Sequence, residues 1–260
     1  MLVRDNVYGT LEQDVWRRDF TVNALYYNIH DFSIVDHTGG MADIEKKILR
    51  VIGNPSVRFR EDPVRILRAI RLAAKLNFNL AEDMVQPIHE MRHLIDHVSS
   101  ARLYEETLKM FHGGHALSTF QKLHDYELLT QLFPQLKPYI EEGSQSRAFI
   151  EEVLKSTDNR VNIGKPVNPA FIFAAFLWFP YMEETKKIFQ DNPNYLVATL
   201  KAMDVVLGSQ RTKIGLPKRI SLTVKDIWLG QIRLASNGHK RARMFEESYF
   251  RAAYDFLLIR

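Results

Sequence analysis

Alternation of apolar and polar residues is confined to the first fifth of this sequence. Beyond it the apolar residues recur at helical spacing, and that change of period constrains the fold more than any other feature. Phe32-Ser33-Ile34-Val35-Asp36 alternates and reads as a short strand. Thr38-Gly39-Gly40 follows, a turn whose two adjacent glycines, Gly39 and Gly40, make a plausible hinge. Further on, Asp62 can cap a helix with Pro63 at its first position, where a missing N–H does no harm. Val64, Leu67, Ile70, Leu72, Ala74 and Leu76 then supply a broad apolar face. Other helices fit 101–111, 117–126, 146–154, 169–178, 183–189, 195–207, 223–234 and 243–259. The expected fold class is therefore mainly α, with a small mixed segment at the start. Breaks fall near Gly39-Gly40 and at 140–145, where Glu141-Glu142-Gly143-Ser144 interrupts the apolar pattern, with a softer one at 208–217.

Several function classes drop out on composition. A hydrophobic content of 46% over 260 residues is enough for a real core. The chain has no cysteine, which excludes disulfides, thiolate zinc sites and cysteine nucleophiles and is compatible with a cytoplasmic location. Met1-Leu2-Val3-Arg4-Asp5 places a charge pair where a secretory signal would have an apolar run. The longest apolar stretch, from Ala170 to Met182 with Pro180 inside it, is too short for a bilayer and reads as a buried helix, so no membrane partner is expected. Its aromatic residues, Phe171, Phe173, Phe176, Trp178 and Phe179, read as core. His112 and His115 lack a third ligand at metal spacing. Net charge is +4, and the last sixty residues hold twelve Lys or Arg against five Asp or Glu. That lean favours an anionic partner such as nucleic acid, although a basic stretch is equally a solvated helical surface.

Two charged constellations carry more. In Arg17-Arg18-Asp19-Phe20-Thr21-Val22-Asn23-Ala24-Leu25, two guanidiniums stand beside a carboxylate. Arginine forks onto phosphate oxygens, and a carboxylate can help hold magnesium, which takes oxygen ligands. In Arg60-Glu61-Asp62-Pro63-Val64-Arg65-Ile66-Leu67-Arg68-Ala69-Ile70-Arg71, the arginines Arg65, Arg68 and Arg71 recur every three residues and form a drifting ridge on a helix. A carboxylate accepting from an exocyclic amine and a guanidinium donating to a ring nitrogen could together imitate a base-pairing edge. Taken singly, each stretch also reads as a surface salt bridge or a solvated charged face.

Taken in order, with Asp36-His37-Thr38-Gly39-Gly40 between them, these stretches resemble the motifs of class II nucleotidyltransferases, the family of bacterial poly(A) polymerases and tRNA CCA-adding enzymes. Arg102, Glu106 and Lys109 are similar to a further, helix-bracing motif of that family. Arg4-Asp5-Asn6, Gly9-Thr10, Tyr26-Tyr27, Val167-Asn168-Pro169-Ala170-Phe171, Leu216-Pro217-Lys218-Arg219 and Arg251-Ala252-Ala253-Tyr254-Asp255 look like the poly(A) polymerase branch. The resemblance implies a remnant of an α/β nucleotidyltransferase head over 1–40, a neck with nucleotide- and RNA-binding helices over 41–140, and a helical RNA-binding body and tail over 141–260. It implies a triphosphate ligand in Arg18, a third acidic active-site residue in Asp19, base selection by Asp62 and Arg65, and nucleotide contacts from Arg68 and Arg71. Lys218, Arg219, Lys240, Arg241 and Arg243 would grip RNA phosphates. The substrates would be ATP and RNA 3′ ends, with Mg2+ as cofactor and a monomeric enzyme. The family's Asp-x-Asp, which binds two magnesium ions, has no counterpart in these residues, so a head truncated at its N-terminus and an inactive chain are expected. The rivals are a tRNA CCA-adding enzyme and a non-catalytic RNA-binding helical module.

Overall fold

Thr10 starts the first helix, α1 (Leu11–Arg17): its hydroxyl accepts from Gln13 N–H while the Gln13 side chain returns a bond to the Thr10 N–H. This reciprocal cap satisfies two of the donors that a helix start leaves open. The structure, a computed structural model, describes residues 9–191, 193–235 and 243–260, with only the backbone of Arg243. It is mainly helical, and contacts divide it into two compact units, one ending at Ile95 and the other running from Asp96 to Arg260.

In the first unit a turn at Thr21–Asn23 leads to strand β1 (Leu25–Tyr27), paired antiparallel with β2 (Ile34–Asp36). The register sets Leu25 opposite Asp36 and Tyr27 opposite Ile34. The strand is shorter than its alternation predicts, because Phe32 takes a left-handed backbone (φ 58) in the hairpin turn. Helix α2 (Gly40–Glu45) precedes β3 (Ile48–Leu49), which pairs in parallel with β4 (Asn79–Leu80). Between those strands lie α3 (Pro55–Glu61) and α4 (Val64–Leu76), and α5 (Glu82–Met91) follows.

Residues Ile66, Leu67, Ile70 and Ala73 of α4 are buried with Phe59 and Leu49. Leu76, expected on the apolar face, is exposed, since the helix ends there at a left-handed Asn77. Asp62 lies one residue ahead of the N-cap of α4, which is Pro63 (φ −61, ψ −20) and not Asp62 as expected; it accepts from Val64 N–H at its side chain (3.3 Å) and from Arg65 N–H at its carbonyl (3.0 Å). It also closes α3, a short helix that the apolar pattern does not announce.

The second unit contains the described elements α6 (Ser100–Phe111), α7 (Ala116–Asp125), α8 (Leu129–Leu132), a 3₁₀ turn at Pro134–Tyr139, α9 (Gln145–Asn162), α10 (Pro169–Phe176), α11 (Trp178–Asp191), α12 (Tyr195–Lys213), α13 (Lys218–Ala235) and, after a 3₁₀ turn at Arg243–Glu246, α14 (Phe250–Ile259). The apolar stretch around Pro180 is two helices rather than one. Leu177 closes α10 by donating to Phe173 O (3.0 Å), and Pro180 sits in the first turn of α11, where its missing N–H costs little. Phe171, Phe173, Phe176 and Trp178 are core as expected, whereas Phe179 is only half-buried; Phe176 meets Phe111 and Phe133 edge-on at 5.1 and 4.9 Å, and Trp228 stacks on Tyr181 at 4.4 Å. Buried Trp228 donates its indole N–H to Ala174 O (3.0 Å), so the core contains no stranded donor there. Among the described residues no helix is long and apolar enough to cross a membrane.

Candidate nucleotide-binding cleft

Backbone pairing fixes the first side of the cleft. Thr21 N–H donates to Arg50 O (3.0 Å) and Ile52 N–H to Asp19 O (2.9 Å), with Phe20 bridged to Val51 between them. This small antiparallel clasp holds the Asp19–Thr21 segment with Phe20 anchored in the core. The second side is Asp62, at the junction of α3 and α4, and the start of α4, whose positions 65 and 68 lie close on one side by helical spacing. The two sides enclose an open cleft of about 550 Å3 lined by Arg17, Arg18, Asp19, Asn23, Asp62, Arg65 and Arg68. Five of the predicted site residues, Arg18, Asp19, Asp62, Arg65 and Arg68, thus line one cleft in the first unit. Arg71, three residues beyond Arg68 on α4, lies outside the lining and makes contacts of its own.

Every guanidinium with a described partner is already matched. Arg68 pairs with Asp19, its Nε donating to Oδ2 at 2.7 Å. The Asp19 side chain is only 12% exposed. Its other oxygen accepts from Asn23 Nδ2 and from the Phe20 N–H, each at 3.0 Å. Arg18 donates to Asp14 Oδ2 (3.0 Å) and to Asn23 O (2.7 Å), with its guanidinium 4.9 Å from the Tyr26 ring centre. Arg17 binds the other oxygen of Asp14 (Nε, 2.8 Å). Asp14 also accepts from the Tyr26 hydroxyl. That bond, followed by those from Arg17 and Arg18, holds the Asp14 carboxyl well below the usual range. Burial raises the Tyr26 phenol, and the bond to Asp14 adds to it.

On the α4 side, Arg65 Nη1 donates to Glu61 Oε2 (2.9 Å) and to Arg58 O (2.8 Å). Arg58 also binds Glu61 (2.8 Å) and reaches across with its other terminal nitrogen to Arg18 O (2.7 Å) and Arg17 O (3.3 Å). Those carbonyls end α1 and would otherwise lack a donor. The Arg65 hydrogen bond, helped by the Arg58 charge, lowers the Glu61 carboxyl. Asp14, Tyr26 and Arg58 are the members of this network that sequence reasoning did not assign. The spacing of Asp14 to Arg17 and Arg18, three and four residues along a helix, is the signal that could have found the first.

The remaining sequence candidates lie elsewhere. Asp36 accepts N–H bonds from Thr38, Gly39, Gly40 and Met41 at 2.9–3.0 Å. Partial burial raises its carboxyl, but the four donors outweigh that and the net shift is downward. Gly39 takes a left-handed backbone (φ 79) at the start of α2. On α6, Lys109 binds the buried Glu106 (2.9 Å). Lys218 and Arg219 are exposed in the first turn of α13. Lys240 and Arg241 lie outside the described residues, as does the Arg243 side chain. His112 and His115 each bond a nearby carbonyl through Nδ1, at 3.1 and 2.9 Å. Among the described residues no group of three or more His, Asp or Glu converges as a metal centre.

Three family descriptions match the chain in order: "Poly A polymerase head domain" over residues 3–50, "Probable RNA and SrmB- binding site of polymerase A" over 77–140, and "Polymerase A arginine-rich C-terminus" over 191–260. Poly(A) polymerase I of Salmonella typhi is 43% identical over 264 residues, covering 100% of this chain and 57% of the relative. The chain therefore spans little more than half the length of that relative. A CCA-adding enzyme of Lactobacillus helveticus is 36% identical over 166 residues, covering 58% of this chain and 41% of its own length. Among solved structures, a tRNA-processing enzyme in an apo form superposes with a TM-score of 0.64 at 20% identity, covering 97% of this chain and 68% of that one, which supports the shared fold. The three family matches in order and the 43% identity over the whole of this chain together show that the chain belongs to the bacterial poly(A) polymerase family of nucleotidyltransferases.

Proposed function

We propose that this chain carries the adenine-selecting and RNA-holding parts of an enzyme that adds AMP from ATP to RNA 3′ ends and releases pyrophosphate. The observation that carries the reading is the convergence of Arg18, Asp19, Asp62, Arg65 and Arg68 on one cleft. Asp62 would accept from the adenine amine and Arg65 donate to a ring nitrogen. Arg18, Arg68 and Arg71 would hold the phosphates through charge-assisted bonds. The match to poly(A) polymerase I over the whole of this chain, against matches to CCA-adding enzymes over part of it, favours adenylate addition. In domain terms the reading has a head segment over 1–40 that turns at Gly39 and Gly40, a neck over 41–140 and a body and tail over 141–260. Lys218 and Arg219, with Lys240, Arg241 and Arg243, would grip RNA. A monomer in the cytoplasm, where ATP and RNA meet, completes the reading.

The donor set does not fit a two-metal site on its own. Asp19 is one carboxylate with an oxygen already paired to Arg68, and Asp62 accepts from the Val64 N–H. No step is therefore derived through Mg2+ held by these residues, and we propose that they do not extend RNA by themselves.

The test is titration of the chain with ATP and CTP, with and without Arg65→Ala. ATP should bind more tightly than CTP, and Arg65→Ala should weaken ATP by about tenfold, the value of roughly one lost charge-assisted bond. Equal binding of CTP and ATP would favour CCA addition. Undetectable ATP binding with RNA binding retained would leave a non-catalytic RNA-binding module.

A further inference from the structure

The unit that begins at Asp96 holds a cleft of its own, about 520 Å3, bounded by the later turns of α9 and the first turns of α10, α13 and α14. That volume is in the range of ligand pockets. Its charged lining is Arg160, Arg219, Arg251 and Asp255. Asp255 is shared: Arg251 Nε donates to its Oδ2 at 2.9 Å, and Arg160 Nη1 stands 3.9 Å from the same oxygen. Arg219 has no carboxylate partner among the described residues. Three guanidiniums thus face one carboxylate, and the excess is positive. Lys218 and Arg219 also occupy the first turn of α13, which contains no acidic residue. Cations there oppose the helix dipole, and an anion at that place would offset both. Beneath the charged rim the floor is apolar, from Phe171 and Ile220.

An apolar floor under a cationic rim suits a nucleotide, with the base packed flat and the phosphate forked by guanidinium. We propose that this cleft seats one unstacked nucleotide of single-stranded RNA, its phosphate between Arg219 and Arg251 and its base against the Phe171–Ile220 floor. The proposal rests on the RNA half of the reading above and is independent of the α4 cleft. It adds Arg160 and Arg251 to the RNA-facing residues and turns a basic surface into a pocket of defined size. A phosphate held by guanidinium carries no sequence information, so that part of the grip is sequence-tolerant.

The experiment titrates the whole chain with fluorescent oligo(A) at several salt concentrations. The double variant Arg219→Ala, Arg251→Ala should bind at least about tenfold more weakly. Its slope of log affinity against log salt should be shallower by roughly 1.4, two contacts on a single strand. Ala252→Trp fills the cleft without touching a charge. It should weaken oligo(A) by a similar factor and leave the slope unchanged, an effect that a flat basic surface would not give. Thermal unfolding and ATP titration serve as controls that the variants fold. Unchanged RNA affinity in both variants overturns the proposal, and so does loss in the double variant alone, which would mean surface charge without a pocket. AMP displacing oligo(A) at micromolar concentration would make the occupant a free nucleotide and also overturn it. A wild-type chain that binds no RNA overturns the RNA half of the functional reading together with this inference.

Discussion

Gly39 and Gly40 are adjacent, yet the structure requires glycine at each for a different reason, and alanine substitution separates them. At Gly39 the backbone is left-handed (φ 79), and a Cβ would meet nothing within 4 Å. Gly39→Ala therefore costs only the strain of that conformation, about 1–2 kcal/mol, less roughly 0.5 kcal/mol recovered from the stiffer unfolded chain. At Gly40 a Cβ would lie 2.4 Å from Thr21 O and 2.9 Å from its carbonyl carbon. Opening that contact merely to 3.0 Å needs a shift of about 0.6 Å. Thr21 resists it: its N–H is bonded to Arg50 O (3.0 Å), its hydroxyl to the buried Asp43 (2.8 Å), and its carbonyl accepts from Ala24 N–H (3.0 Å). Overpacking of this kind costs about 2–3 kcal/mol, which in a unit of this size lowers the unfolding midpoint by roughly 10 °C or more. The displaced turn carries Asn23, a cleft residue bonded to Asp19. Gly40→Ala should therefore also weaken ATP binding, whereas Gly39→Ala should leave it near wild type. Thermal unfolding by circular dichroism and ATP titration of both variants check this. A Gly40→Ala loss under about 0.5 kcal/mol, or losses equal at the two positions, would refute the reasoning.

Asp14 gives a pH signature. Its carboxyl is held below its ordinary 3.8, first by Tyr26 and then by Arg17 and Arg18, so its contribution to stability is present above that value and is lost as pH falls toward the folded-state value. Asp14→Asn should lower the unfolding midpoint at neutral pH. The gap to wild type should narrow between about pH 4 and pH 2, and a gap constant over that range would contradict the assignment. In the second unit, Phe176 is fully buried and meets Phe111 and Phe133 edge-on. Phe176→Ala should cost about 3–5 kcal/mol in urea unfolding, and a loss below about 1.5 kcal/mol would show that the core closes over the gap.

Helices with a wide apolar face were legible in the sequence because burial imposes the period directly: α4, α6 and α12 begin within a residue or two of where Val64, Ala101 and Tyr195 place them. Elements in which that face is short or interrupted were not. Helix α3 buries only Pro55 and Phe59; α5 buries Met84, Ile88 and Met91 at helical spacing, but Pro87 in its interior reads as a helix breaker and masks it. Within the cleft, residues on one segment could be grouped from spacing alone, as Asp62, Arg65 and Arg68 were. The Arg68–Asp19 pair joins residues 49 apart, and Arg58 meets main-chain carbonyls, which carry no side-chain identity to read. Residue types announce what a group can bond, but the partner chosen is a property of the folded chain.

The prior engagement of these guanidiniums has a consequence for selectivity. An incoming triphosphate would not meet bare positive charge at Arg18, Arg65 or Arg68, since Asp14, Glu61 and Asp19 already hold them. Binding then becomes an exchange of anions, in which a ligand gains only the difference between its own bonds and those it displaces. A small anion such as sulfate could replace one carboxylate at a time and would gain almost nothing. A ligand that engages several positions at once gains at each of them, so on the proposed reading the self-neutralised cleft would filter out simple anions.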